Sequence, residues 1–127
     1  MCIHRFDVRV VERCKIQNGV SVYAGVTLED EVFVGLNVTV TNDLLPRAQG
    51  QEWQQVPVLV KTGASIGANA TIVCGATLHE HCMVAAGSVV TADVPAYALV
   101  MGCSARVVGY VTRATERRHV GPSPGDA

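Results

Sequence analysis

Branched aliphatic residues recur along this chain at every sixth position, rather than at every second or at every third and fourth. Counted from Val10, the large apolar positions are Val10, Ile16, Val22, Leu28, Val34 and Val40, and after an interruption Val60, Ile66, Ile72, Leu78, Val84 and Val90. The fifth residue of each unit is small or β-branched: Cys14, Val20, Val26, Val32, Val38, then Ala64, Ala70, Ala76, Cys82, Ser88 and Val94. Between them, after Arg13, stand Gly19, Gly25, Glu31, Asn37, Gly63, Asn69, Gly75, His81, Gly87 and Asp93. That column is rich in residues that tolerate left-handed backbone angles. An amphipathic helix needs apolar residues three and four apart with little glycine, and hairpin strands alternate with period two, so neither template fits.

A unit with one large inward side chain, one small inward side chain and a turn residue between them is what a three-sided prism of short parallel strands requires. Three units close one coil, so the twelve units predict an all-β domain of about four coils, on the order of 19 Å tall at a strand spacing of about 4.8 Å. The expected divisions are a lead over 1–9, coils over 10–42, a protruding loop over 43–57, coils over 58–95 and a closing segment over 96–111. Pro95 and the run AYALVMG are expected to leave the prism, and SARVVGYVTRATERR to cover its open end as a helix or a strand. Residues 112–127 end in VGPSPGDA and have the composition of a disordered tail. The loop interrupts a regular stack with Pro46, Gly50, Trp53 and Pro57, and excursions of that length usually carry function. Flat prism faces with outward aliphatics such as Val73 and Val89 also favour an oligomer that covers them.

Composition narrows the function classes. Ten Lys and Arg against eleven Asp and Glu leave a net charge of -1, with no basic excess for nucleic acid. No apolar run approaches the roughly 18 to 20 residues of a membrane span, and MCIHRFDVRV lacks the pattern of a secretory signal, so a cytoplasmic location is expected. Five cysteines without CxxC spacing suggest neither a disulfide framework nor a zinc site. No Ser-His-Asp or Cys-His arrangement is evident.

The strings KIQNGVSVYAGVTLEDEVFVG, VTNDLLPRA, LVKTGASIGANATIVCGATL and VAAGSVVTADVPAYALVMG resemble the hexapeptide-repeat family of acyltransferases. Within it they are most similar to bacterial N-acetyltransferases acting on nucleotide-linked 3-amino sugars. The resemblance implies a left-handed parallel β-helix, a hand that the period alone does not supply and that runs against the usual crossover rule. It implies acetyl-CoA as co-substrate, a homotrimer with acetyl-CoA between neighbouring prisms, and direct transfer to a small-molecule acceptor such as a nucleotide amino sugar. By the same resemblance Asn42 lies beside the acceptor amine as the catalytic residue. Its amide cannot take a proton at neutral pH, so it would orient the amine. Ala68, Ala86 and Gly87 would meet the pantetheine arm, and Arg106 would face the CoA phosphates.

Several positions depart from the family. Cys103 and Ser104 stand in GCSAR where relatives have Asn and Pro, Ala92 replaces a Lys, Leu45 replaces an Asn, and few residues precede the KIQN string. Two other readings therefore stay open: a trimeric β-helix that has lost catalysis and serves as a binding or structural module, and an acyltransferase with a different small acceptor. His79 and His81 are the only imidazoles within the repeat, one short of the three a metal site of the γ-carbonic-anhydrase type needs, so no metal is expected. His81 falls in the corner column, and its default role there is structural.

Overall fold

The computed structural model describes residues 2–3, 9–10, 12–22, 25–41, 56–111 and 118–119. Each six-residue unit supplies one strand of two or three residues, and the strands stack on three faces. The first face carries Cys2–Ile3, Ser21–Val22, Thr39–Val40, Thr71–Ile72 and Val89–Val90. The second carries Arg9–Val10, Val26–Leu28, Val58–Val60 and Thr77–Leu78, extended by a single bridge from Leu78 to Val94. The third carries Lys15–Ile16, Phe33–Val34, Ser65–Ile66, Met83–Val84 and Ala98–Met101, and continues into Arg106–Val111 and Arg118–His119. The coil is a left-handed parallel β-helix, with no helix among the described residues.

The two inward columns build the core. From Val22 to Val90 every large first-column residue described is at most 1% exposed, and so are Val20, Val26, Val32, Val38, Ala64, Ala70, Cys82 and Ser88 of the small column. Burying such a side chain contributes about 1.5–3 kcal/mol for the larger ones. Val10 and Ile16 are the exceptions, exposed and half-buried, because they lie on the first coil where the stack ends. Val73 and Val89 are half-buried rather than exposed.

The fourth column is where the chain turns each corner. Arg13, Gly19, Gly25, Glu31, Asn37, Gly63, Asn69, Gly75, His81 and Gly87 all have positive φ, between 58° and 92°. The geometry turns each amide toward the coil before it: Asn69 N donates to Leu36 O (2.8 Å), Gly87 N to Ala68 O (2.8 Å) and His81 N to Thr62 O (3.1 Å). Asp93 is the one departure. Its carboxylate accepts from Thr77 N at 2.9 Å, and the positive φ moves on to Tyr97.

Register shows what the loop does. Ser21 pairs with Thr39 and Thr71 with Val89, 18 residues apart, whereas Thr39 pairs with Thr71, 32 apart. An excursion of 14 extra residues therefore leaves between Val40 and Val58 and returns in phase. Most of the expected loop, residues 43–55, lies outside the described residues.

The upper end differs from the expectation. Ala98–Met101 stays in the prism as a parallel strand on Met83–Val84, so the chain completes most of a fifth coil. Leu99 and Val100 are buried there, which explains why this apolar run does not leave. The chain then reverses, and Arg106–Val111 pairs antiparallel with Ala98–Met101, ending the parallel stack as a strand.

Candidate functional site

Two hollows lie on the third face, and they share Phe33 and Ser65. The face is a column of outward side chains set by the strand register: Lys15 beside Phe33, Phe33 beside Ser65, Ser65 beside Met83 and Met83 beside Leu99. Toward the upper coils, Met83, Leu99, Ala85, Ala86 and Gly67 line an apolar hollow of about 380 Å³. Toward the lower coils, Arg13, Lys15, Glu31, Gly63 and His81 line a polar one of about 440 Å³.

The apolar hollow is bounded by the corner that joins the third face to the first. Gly35, Gly67 and Ala85 occupy equivalent places there, and the coils touch through backbone. A Cβ on Gly67 would lie 2.6 Å from Ala86 N and 2.8 Å from Val84 O, and one on Gly35 would lie 2.7 Å from Ala68 N. Ala68 sits half-buried one coil from Ala86, and both Ala86 and Gly87 are exposed. A Cβ on Gly87 would meet nothing within 4 Å. This corner thus has dense backbone inside and open space outside, with only small groups at Ala68, Ala86 and Gly87 on its outer edge, alongside the exposed Asn69 and, one coil lower, Leu36 and Asn37. A thin, flexible chain could lie along it in contact with backbone amides.

Above that corner runs the turn into the last strand. Val89 N donates to Gly102 O (3.0 Å), Ala105 N donates to Val89 O (2.8 Å), and Gly102 N donates to the Ser88 hydroxyl (3.3 Å). Ser104 and Thr91 share a hydroxyl hydrogen bond of 2.8 Å. Arg106 follows directly and is exposed. Of the residues singled out from the sequence, Ala68, Ala86 and Gly87 therefore share one corner, and Arg106 begins the strand just above it. Asn42 lies outside the described residues.

The histidines lie on the other side of the third face, at its corner with the second. His79 is half-buried, its N–H bonded to Val94 O (3.0 Å). His81 stacks on Tyr97 with ring centroids 5.3 Å apart and planes 24° apart, and its ring lies over Gly63. On the same corner Arg13 is bound to Asp30 and lies 3.3 Å from Glu31, while Lys61 lies 3.5 Å from Glu80. Asp30 and Glu31 both hold the Arg13 guanidinium in its charged form, Asp30 the more strongly through its hydrogen bond. Among the described residues no group of three His, Cys, Asp or Glu side chains could hold a metal ion. Among the described residues no helix is long and apolar enough to cross a membrane.

Reading along the sequence missed Lys15, Phe33, Ser65, Met83 and Leu99, because outward positions carry no periodic signature. Spacing by one coil, corrected for the loop, is the signal that could have aligned them.

Known proteins share the repeat and the fold. Residues 61–92 match the family described as the hexapeptide repeat of succinyl-transferase. Over 59 residues, 46% of this chain and 31% of the relative, the sequence is 56% identical to a dTDP-3-amino-3,6-dideoxy-alpha-D-galactopyranose 3-N-acetyltransferase of Aneurinibacillus thermoaerophilus. A Staphylococcus aureus 2,3,4,5-tetrahydropyridine-2,6-dicarboxylate N-acetyltransferase is 46% identical over 52 residues, 41% of this chain and 22% of the relative. Among solved structures, a hexapeptide-repeat acetyltransferase of Vibrio cholerae, complexed with acetyl coenzyme A, superposes with a TM-score of 0.76 at 29% identity. That alignment covers 84% of this chain and 61% of the other. The chain thus spans about a third or less of the length of these two curated relatives.

Proposed function

We propose that this chain, similar to hexapeptide-repeat acetyltransferases in sequence and fold, carries out acetyl-CoA-dependent N-acetylation of a nucleotide-linked amino sugar, as a homotrimer in the cytoplasm. The observation that carries the reading is the upper corner of the third face. There Ala68, Ala86 and Gly87 offer an open, side-chain-poor edge beside an apolar hollow walled by Met83 and Leu99. Such an edge suits a pantetheine arm, and Arg106 is exposed where a phosphate could meet it. The turn over residues 102–105 remains tied to Ser88 and Val89, so the unusual GCSAR string still closes the corner.

Acetyl-CoA supplies an activated acyl carbon; the chain's task is to bring an uncharged amine to it. Positioning of that kind can be worth about 7–11 kcal/mol of barrier, and donors aimed at the oxygen that gains charge add to it. In this reading Asn42 orients the amine by hydrogen bonding, and the departing thiolate or a water takes the proton. Exposed Phe33 on the third face and Leu36 at its corner with the first favour packing of prisms against one another, which would wall the groove from its other side.

Calorimetric titration with acetyl-CoA tests the reading directly. Absence of binding at millimolar ligand would exclude the enzyme and leave a binding or structural module. A thiol-release assay across nucleotide-linked amino sugars, amino acids and aminated drugs then identifies the acceptor class. Replacing Asn42 by Ala should lower turnover with little change in stability, and an unchanged rate rejects its role.

A further inference from the structure

We propose that the polar hollow on the third face is an anion subsite, in which Lys15, Ser65 and His81 hold a phosphate or carboxylate group of the acceptor. That the anion belongs to an acceptor rests on the acetyl-transfer reading; the subsite itself stands on the geometry of the face. Lys15 and Ser65 project from the same face, one on each side of Phe33, and His81 reaches the same hollow from the adjoining corner. Its volume, about 440 Å³, suits a ligand of sugar size.

The cations there are not equivalent. Arg13 is engaged by Asp30 and Glu31, so its charge is largely spent. Lys15 has no carboxylate partner among the described residues. His81 is held in place by its neighbours: its φ of 58° matches that of Glu31 on the same corner, and its ring is clamped between Gly63 of the coil before and Tyr97 of the coil after. A Cβ on Gly63 would lie 2.3 Å from His81 Nδ1, so the ring keeps this place only because Gly63 has no side chain. Phe33 and Ser65 also line the apolar hollow beside Ala86, so a ligand anchored by its anion would extend toward the proposed thioester end.

The charged or titratable groups around His81 are Arg13, Lys15 and Glu31 in the hollow, Glu80 with its partner Lys61, the neighbouring His79, and Tyr97. Against that set, Lys15 supplies the free charge, and Ser65 and His81 supply hydrogen-bonding groups beside it.

Sulfate is the probe, a divalent oxyanion that stands in for a phosphate group. It is titrated into the full chain at fixed ionic strength, with chloride as control, while the His81 imidazole C–H resonance is followed by NMR. A saturable shift is expected with sulfate and not with chloride. Lys15→Ala should weaken the affinity by about tenfold, the loss of one charge-assisted hydrogen bond. His81→Asn, followed through the Ser65 amide, should do the same. Asn already takes this backbone angle at Asn37 and Asn69, so the fold should survive. No saturable shift, or one that both variants leave unchanged, overturns the subsite. Acetyl-CoA is titrated calorimetrically in the same samples. Acetyl-CoA binding without sulfate binding overturns the subsite alone, whereas sulfate binding without acetyl-CoA binding overturns the acceptor assignment.

Discussion

Adding one methyl group at Gly67 should damage this protein more than adding one at Gly87, although only Gly87 has a backbone angle that disfavours a side chain. At Gly87 φ is +75° and a Cβ would find nothing within 4 Å, so Gly87→Ala carries the left-handed penalty alone, about 1–2 kcal/mol. At Gly67 the new Cβ would sit 2.6 Å from Ala86 N, roughly 0.8 Å inside ordinary contact, and the obstacle is backbone. Relief requires the fourth coil to move away from the third. That would stretch Gly67 N to Val84 O and Gly87 N to Ala68 O, both 2.8 Å, and Ser65 N to Cys82 O, 2.9 Å. Three weakened backbone hydrogen bonds at about 1 kcal/mol each give a loss of about 3 kcal/mol. Urea unfolding followed by circular dichroism measures both variants on one scale. A Gly67→Ala protein within about 0.5 kcal/mol of wild type, or one more stable than Gly87→Ala, would refute the close-contact account of this corner.

Other substitutions probe the core, the thiols and the proposed CoA contact. Ile72 is fully buried, so Ile72→Asp should abolish the folded circular dichroism spectrum, whereas Ile72→Val should cost only about 0.5–1.5 kcal/mol in urea. Burial pushes the Cys82 thiol up from 9.0 to about 12, so a thiol reagent at neutral pH should modify exposed Cys103 and spare Cys82 until the protein unfolds. Because the folded state holds the Cys82 proton more tightly, its contribution to stability is fully present below pH 9.0 and should be lost as pH rises toward about 12, which denaturation at graded alkaline pH would register. Arg106→Ala should weaken acetyl-CoA binding about fivefold with an unchanged melting temperature, since the side chain is exposed and packs no core; equal affinity would remove Arg106 from the site.

The hexad dictates local properties, and those were legible without coordinates. Whether Ile66 or Ala70 points inward depends only on its place in a six-residue unit, and both are fully buried. Whether a corner tolerates positive φ depends on one residue, and the column from Arg13 to Gly87 turns as expected. Of the residues assigned by resemblance, Ala68, Ala86 and Gly87 come together because stacking a coil-length repeat brings equivalent corners into line.

Non-local relations had to wait for the tertiary structure. The 14 extra residues before Val58 could have returned the chain in any phase, and only the pairing of Phe33 with Ser65 brings Lys15, Ser65 and Met83 onto one face. Asp93 breaks the corner rule because its side chain satisfies an amide of the coil before, a partner 16 residues away. Ala98–Met101 stays in the prism because the strand Met83–Val84 offers it an edge, although Pro95 and the run AYALVMG were expected to leave. Periodicity decides which way a side chain points; what it points at is decided by the register between coils, which depends on contacts far apart along the chain.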